Sequence, residues 1–276
     1  MKKLIRKLYI RCIRSHVSNP LYQQRIKLLW FIWGYWPILL LKNTSFAKRL
    51  ILLRRFLLVD WHVLHGHRPC EISRIALVIA ERSSRNGEVM VEAGCYRGGS
   101  SAKFSLLCRT FGYRLHIYDS FQGVEELSPE IRAKEYDFSG QYAAEESEVL
   151  ENLEHYGDIS VCLIHKGWFC DTIARNAVPV PVRVVYIDCD NAKGTSEVLT
   201  GTVPSLVSDG CIFSQDYHVR SVRELLENES TWVRLGKGLP ACKPFCGNLA
   251  SFRFVGGTST STSWRLPVQG NNGLVI

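Results

Sequence analysis

The sequence has ten cysteines but no CxxC pair. The cysteines are scattered from Cys12 to Cys246, several inside apolar runs, and Cys242-x-x-x-Cys246 reads as a loop with no second pair to complete a zinc site. This pattern excludes a zinc ribbon and argues against a disulfide frame. The thiols are therefore read as reduced and buried in a cytosolic protein. G-x-G-x-x-G cannot be written through Gly94, Gly98 and Gly99, and the Lys-Ser/Thr of a phosphate loop is also missing. The first absence argues against an NAD-linked dehydrogenase. A membrane-crossing run is missing too. The uncharged stretch Leu28–Leu41 has 14 residues, roughly 21 Å as a helix against the roughly 30 Å of a bilayer core. Pro37 would kink it, and no small-residue cleavage site follows to make it a removable signal. There is no internal repeat and no low-complexity tract.

Acids are nearly absent from the start of the chain. Residues 1–60 carry 13 Lys/Arg and one acid, Asp60, a net of +12, while residues 61–276 carry 21 Lys/Arg and 25 Asp/Glu, a net of −4. Such asymmetry suggests an anionic partner. Nucleic acid fits poorly, because the basic residues alternate with aliphatics such as Leu50-Ile51-Leu52-Leu53 rather than with polar or stacking groups. Residues 46–64 read as a basic amphipathic helix. Together with the Trp-rich run before it, this segment suits peripheral contact with the inner face of a membrane. A flap on the main domain or a homodimer contact explains the same residues. His62, His65 and His67 precede Pro69 at loose spacing and are read as solvated loop histidines rather than a metal cluster. The expected organisation is a basic helical extension over 1–68 and a main domain over 69–276.

Beyond a helical stretch at Glu71–Arg82, apolar strands and helices alternate. Strands are expected at Val89–Ala93, Arg114–Asp119, Ser160–His165, Val182–Asp188 and Cys211–Gln215. Helices are expected at Ser101–Thr110, Ala143–Tyr156, Thr195–Leu206 and Val219–Glu227. The pattern predicts an α/β fold, Rossmann-like, with a mostly parallel sheet covered on both faces. Ser251–Val255 and Trp264-Arg265 are candidates for added antiparallel strands, with Thr258–Ser263 a turn between them.

The chain is organised around residues 89–101, where an apolar run ends in Glu92 and a Gly-rich turn leads into a helix. A strand, tight turn and helix N-terminus form the generic nucleotide site of α/β proteins. An acid before the glycines suits a ligand with a positive end and no phosphate, such as S-adenosylmethionine. An ordinary strand-to-helix turn explains the pattern equally well. Further acids fall where strands end: Asp119, then Asp188 and Asp190, then Asp216 beside Gln215. Ligands of open α/β sheets lie at these ends, and Asp119, 25 residues after Gly94, is placed for ribose hydroxyls or for capping a helix. Converging oxygen donors suit Mg²⁺ or Ca²⁺, or a capping network.

The order of motifs resembles the macrocin-type (TylF-like) O-methyltransferases, a family of class I S-adenosylmethionine enzymes. The matching pieces are Val91-Glu92-Ala93-Gly94 with Arg97-Gly98-Gly99-Ser100, Tyr118-Asp119-Ser120-Phe121-Gln122-Gly123, and Ser139-Gly140-Gln141-Tyr142. Then come Lys166-Gly167-Trp168-Phe169-Cys170-Asp171-Thr172, Asp188-Cys189-Asp190, Asp209-Gly210-Cys211 and Gln215-Asp216-Tyr217-His218. The resemblance spans about residues 70 to 265 and leaves residues 1–60 outside. It implies a class I methyltransferase fold with S-adenosylmethionine held by Glu92, Gly94, Gly98, Ser100, Asp119, Ser120, Gly167, Trp168 and Asp188. It also implies Mg²⁺ on Asp188, Gln215 and Asp216, and Asp190 as general base. The chain departs from the family at two places. The family usually has two acids where Gln215-Asp216 stands, and a Tyr and a Ser where this chain reads Asn191-Ala192-Lys193-Gly194-Thr195.

The function implied is methyl transfer to a hydroxyl of a sugar or glycosylated natural product. The competing expectation is a weak or inactive relative anchored to a membrane or a complex by its N-terminal segment.

Overall fold

The computed structural model describes residues 34–126, 128, 137–245 and 247–254. The basic stretch 1–27, residues 28–33 of the uncharged run and the readings at Thr258–Ser263 and Trp264-Arg265 lie outside the described residues. Seven strands are described: β1 (Val89–Ala93), β2 (Arg114–Asp119), β3 (Cys162–Lys166), β4 (Val182–Ile187), β5 (Leu206–Ser214), β6 (Ala241–Pro244) and β7 (Ala250–Arg253). Seven α-helices accompany them: α1 (Phe46–His62), α2 (Pro69–Ile79), α3 (Gly99–Phe111), α4 (Glu146–Tyr156), α5 (Ala192–Thr202), α6 (Arg220–Glu227) and α7 (Glu229–Arg234).

The strands form one sheet in the order β3-β2-β1-β4-β5-β7-β6. β1 to β5 are parallel, and β7 runs antiparallel to both its neighbours. β1 and β4 are buried along their whole length, as central strands covered on both faces must be. Alternation divides their side chains between two cores. Met90, Val184 and Tyr186 pack with α2, α3 and α4, while Val91, Val185 and Ile187 pack with α5, α6 and α7. The class I methyltransferase fold expected from the sequence is present.

Residues 35–63 join the first of these cores. Pro37 opens a short 3₁₀ turn (Trp36–Leu40), where its missing N–H costs nothing, and Tyr35, Ile38 and Leu41 are fully buried. Ser45 caps α1 by accepting from the Lys48 N–H at 3.3 Å. Leu52, Phe56 and Val59 line its inner face, and Phe46, Leu50, Ile51 and Trp61 are exposed on the other side. Among the described residues, no helix is long and apolar enough to cross a membrane.

Four readings need correction. Cys242-x-x-x-Cys246, read as a loop, begins within an edge strand, Ala241–Pro244. Its four residues are all exposed, so it carries no apolar alternation to read. α5 stops at Thr202 and not Leu206, and β5 starts earlier than expected, at Leu206. Pro204 explains this, since it lacks the N–H a continuing helix needs. α7 was not expected. Finally, Cys70 is disulfide-bonded, whereas the other seven described cysteines are free.

Candidate active site

The carboxyl ends of β1, β2, β4 and β5 surround a cavity of about 220 Å³. Parallel strands all end on the same edge, so residues distant in sequence meet there. Gly94, Ser100, Asp119, Ser120, Gly167 and Trp168 line it on one side, and Asp188, Asp190, Gln215 and Asp216 on the other. Glu92 and Gly98 do not reach the cavity wall. Glu92 is fully buried beneath the turn, and Gly98 precedes α3 with φ +78°, its α-carbon packed near Val149.

Backbone hydrogen bonds splice the turn into the sheet. The Gly94 N–H donates to the Tyr118 carbonyl at 3.0 Å, and the Asp188 N–H donates to the Ala93 carbonyl at 2.9 Å. Asp119 clamps two loops, accepting from the Cys95 N–H and the Phe121 N–H, each at 2.7 Å. The Ser120 hydroxyl accepts from the Gln122 N–H at 3.1 Å. The Gly167 N–H donates to the Asp119 carbonyl at 2.9 Å, which sets Trp168 on the wall beyond β3.

The three acids form a compact group. Asp188, Asp190 and Asp216 each offer an oxygen, and these lie within 4.8 Å of one another. Asp216 accepts from the Cys189 N–H at 2.8 Å and the Asp190 N–H at 2.9 Å. The Tyr186 hydroxyl donates to Asp188 at 3.1 Å. Burial, followed by the Asp216 charge, pushes Asp190 up to about 7. Burial, then Asp216 and Asp190, pushes Asp188 well above the carboxylate range. Asp216 is also raised by burial, against the pull of the two N–H donors. Three crowded carboxyls with raised pKa values are a donor set short of positive charge, with His218 alone pulling Asp216 down among the described cationic side chains. Gln215 lies beside them with its carbonyl oxygen buried and unpartnered.

Beneath the glycine turn, burial pushes Glu92 up to about 8. The Ser100 and Ser101 hydroxyls temper the shift without closing a well-formed hydrogen bond to either oxygen. Both oxygens are thus buried without a hydrogen-bond partner.

The family model for macrocin-O-methyltransferase (TylF) matches residues 74–232, more than half of the chain. The chain belongs to the macrocin-O-methyltransferase family. It is an S-adenosylmethionine-dependent O-methyltransferase. It is 26% identical over 175 residues to mycinamicin III 3''-O-methyltransferase of Micromonospora griseorubida, covering 59% of this chain and 68% of that enzyme. The solved structure of the O-methyltransferase NovP superposes with a TM-score of 0.62 at 16% identity, over 75% of this chain and 99% of the other. That of the calicheamicin methyltransferase CalS11 gives 0.51 at 15% identity, over 87% and 95%. These two likenesses are of fold.

Against that family background the Asn191–Thr195 departure has a defined structure. Asn191 caps α5 by accepting from the Gly194 N–H at 2.7 Å, and Lys193 reaches across to Glu125 on the far loop at 2.6 Å. Several wall residues escaped the sequence reading: Tyr96, Glu125, Asn248, His65 and His67. They come from loops, where no periodicity marks them.

The histidines require a correction. His62 is exposed and stacks on Tyr156, but His65 and His67 are not solvated. Their rings stack 3.9 Å apart around the fully buried Lys103 of α3. The Lys103 ammonium donates to His67 Nε2 at 2.6 Å and pairs with Asp60, while His65 Nε2 lies 2.7 Å from the same Asp60 oxygen. Burial and the nearby ammonium lower the pKa of His67, and burial likewise lowers that of His65. Burial pushes Asp60 upward, yet His65 and Lys103 hold it below its ordinary value. Asp60, His65 and His67 are close enough to bind a metal, but the lysine occupies the centre a cation would need. A buried charge has to be paired, and this pairing draws the histidine loop out of solvent and onto the cavity wall.

Proposed function

We propose that this enzyme methylates a hydroxyl of a sugar or glycosylated natural product, with Asp190 as general base and Mg²⁺ held by Asp188, Asp216 and the Gln215 oxygen. The observation that carries this reading is the convergence of the three acids, within 4.8 Å of one another, on a cavity shared with Gly94 and Asp119. The donor set fits a hard cation, being all oxygen and including an orphaned buried carbonyl. When bound, S-adenosylmethionine supplies an electrophilic methyl, and Mg²⁺ supplies the positive charge that acidifies the acceptor hydroxyl.

The chain's own residues supply orientation and proton transfer. Asp190, with a pKa near 7, accepts the hydroxyl proton close to neutral pH, where a general base works best. The N–H donors of Cys189 and Asp190 hold Asp216 in place. In this reading Asp119, Ser120, Gly167 and Trp168 would hold the nucleoside, the Trp168 indole offering a flat face to the adenine. Gly94, Gly98 and Ser100 would shape the turn at the methionine end, and Glu92, buried beneath that turn, would offset its positive charge. The sugar-type acceptor is supported by the name of the mycinamicin relative and by the aromatic rings of Tyr96, Phe138 and Tyr142 on the wall.

The test is label transfer from methyl-tritiated S-adenosylmethionine to a panel of sugars, sugar nucleotides and glycosides, with and without EDTA. Transfer to a sugar hydroxyl that EDTA abolishes is expected. Transfer to catechols alone would overturn the acceptor class, and full activity in EDTA would remove the metal. A second reading, cofactor binding without turnover, is favoured by Gln215 standing where the family has an acid. Calorimetry showing S-adenosylmethionine binding beside a blank assay would support it.

A membrane-facing role for the N-terminal segment belongs to the same proposal. Trp36, Leu40, Phe46, Ile51, Trp61 and Leu64 are between 41% and 71% exposed, beside Lys42, Lys48 and Arg54. Large apolar side chains set among basic ones suit an anionic lipid surface.

A further inference from the structure

Gln215 and Glu71 are 144 residues apart in sequence and are hydrogen-bonded in the interior. The Gln215 Nε2 donates to Glu71 Oε2 at 3.0 Å, and both side chains are buried. Glu71 is saturated with donors. Its Oε2 also accepts from the Arg68 N–H at 2.6 Å, and its Oε1 accepts from the Asn248 N–H at 2.9 Å. The surrounding chain is closed tightly around it, since a Cβ on Gly247 would stand 1.9 Å from Oε1.

This arrangement decides which way the Gln215 amide points. The two ends of an amide have nearly the same shape but opposite hydrogen-bonding character, and the network around them determines their orientation. A carboxylate already accepting from two backbone N–H groups offers only acceptor capacity, so the amide must turn its NH₂ toward Glu71. Its carbonyl oxygen then has to face the other way. That oxygen is buried without a hydrogen-bond partner, and Gln215 belongs to the wall of the cavity that holds Asp188, Asp190 and Asp216.

We infer that Glu71 is a positioning residue that holds the Gln215 carbonyl oxygen toward the cation site, and that the negative charge absent from position 215 resides one layer out, on Glu71. This inference rests on the metal reading proposed above. It explains why an amide is tolerated at a family acid position. A glutamate there would put a second acceptor against Glu71 in place of the donor it needs, and two buried acceptors facing each other lose the hydrogen bond and repel. An aspartate, one methylene shorter, would withdraw from Glu71 while keeping a carboxylate at the cavity. The two acids should therefore behave differently at the same position.

The experiment titrates Mn²⁺ into the full-length protein without cofactor or acceptor and reads free Mn²⁺ by electron paramagnetic resonance, with a thermal melt on each variant to confirm folding. The expected result is that Gln215→Asp tightens Mn²⁺ binding about tenfold, since added ligand charge raises affinity for hard cations. Gln215→Glu should give no tightening and a lower melting temperature. Glu71→Gln should weaken binding several-fold by freeing the amide of residue 215, and Gln215→Ala should weaken it further. Equal tightening by Gln215→Asp and Gln215→Glu, or unchanged binding in both Glu71→Gln and Gln215→Ala, would overturn the inference while leaving the metal reading intact. Absence of Mn²⁺ binding in the wild type and every variant would overturn both.

Discussion

A Cβ on Gly94 would lie 1.9 Å from the carbonyl oxygen of Asp188. The turn after β1 and the acid loop after β4 therefore touch backbone to backbone, and the glycine-turn half and the acid half of the cavity are built as one unit. Only glycine permits this, because Gly94 also has φ +87°.

Gly94→Ala should accordingly damage both halves together. Overpacking typically costs about 1–3 kcal/mol, and a positive φ adds to it. The expected outcome is a lower melting temperature together with loss of S-adenosylhomocysteine binding by calorimetry. A variant that binds the product normally would show that the two loops can separate without harm.

Asp190 makes the rate and the stability depend on pH in opposite senses. In the proposed mechanism the base must be ionised, so with Mg²⁺ present the rate should rise along an acidic limb lying at or below the value of about 7 that burial and Asp216 give Asp190 without a cation, and level off above. Asp190→Asn should lose that acidic limb and about 10²–10⁴-fold in kcat, while still binding S-adenosylhomocysteine. For stability, the folded pKa is raised above the ordinary 3.8. Between these values the folded state binds more protons than the unfolded one, so this group's contribution is lost as pH rises toward 7. Mg²⁺ should therefore raise the melting temperature more at pH 8 than at pH 5, and an equal increase at both would contradict the assignment.

The buried Asp60–Lys103 pair joins the N-terminal helix to the helix that follows the glycine turn. Lys103→Met should cost about 3–5 kcal/mol in urea unfolding, because it strands a carboxylate in the interior. The double variant with Asp60→Leu should recover much of the loss. Burial brings Lys103 down to about 8 against the pull of Asp60. Between about pH 8 and 10.5 the unfolded chain binds the extra proton, so this group's contribution to stability rises with pH there. That rise should vanish in Lys103→Met.

The exposed apolar side of α1 should respond to lipid. Full-length protein is expected to float with phosphatidylglycerol vesicles at low salt and to detach as salt screens the attraction, each basic residue near the surface being worth about 1 kcal/mol. Phe46→Ser, Ile51→Ser and Trp61→Ser combined should abolish flotation without lowering methyl transfer to a soluble acceptor. Protein that stays with the pellet, and whose dimer dissociates on the same substitutions, would assign this face to a second copy of the chain instead.

The alternation of apolar runs was enough to determine the parallel sheet, because strands buried on both faces are mostly apolar, as β1 and β4 are apart from Glu92 and Arg183. The acids at strand ends were also legible, since Asp119 and Asp188 directly follow apolar runs, Asp216 comes shortly after Cys211-Ile212-Phe213, and the strands of a parallel sheet share one ligand-binding edge. Position alone said nothing of the company those residues keep. Whether Glu92 lies on the cavity wall or beneath it, whether His65 meets water or Lys103, and which way the Gln215 amide points all depend on contacts between segments tens to more than a hundred residues apart. Local patterns report the period of an element and the face it buries. Partners such as Glu71 for Gln215 and Asp60 for Lys103 are chosen by helix packing on the sheet, so only the tertiary structure decided them.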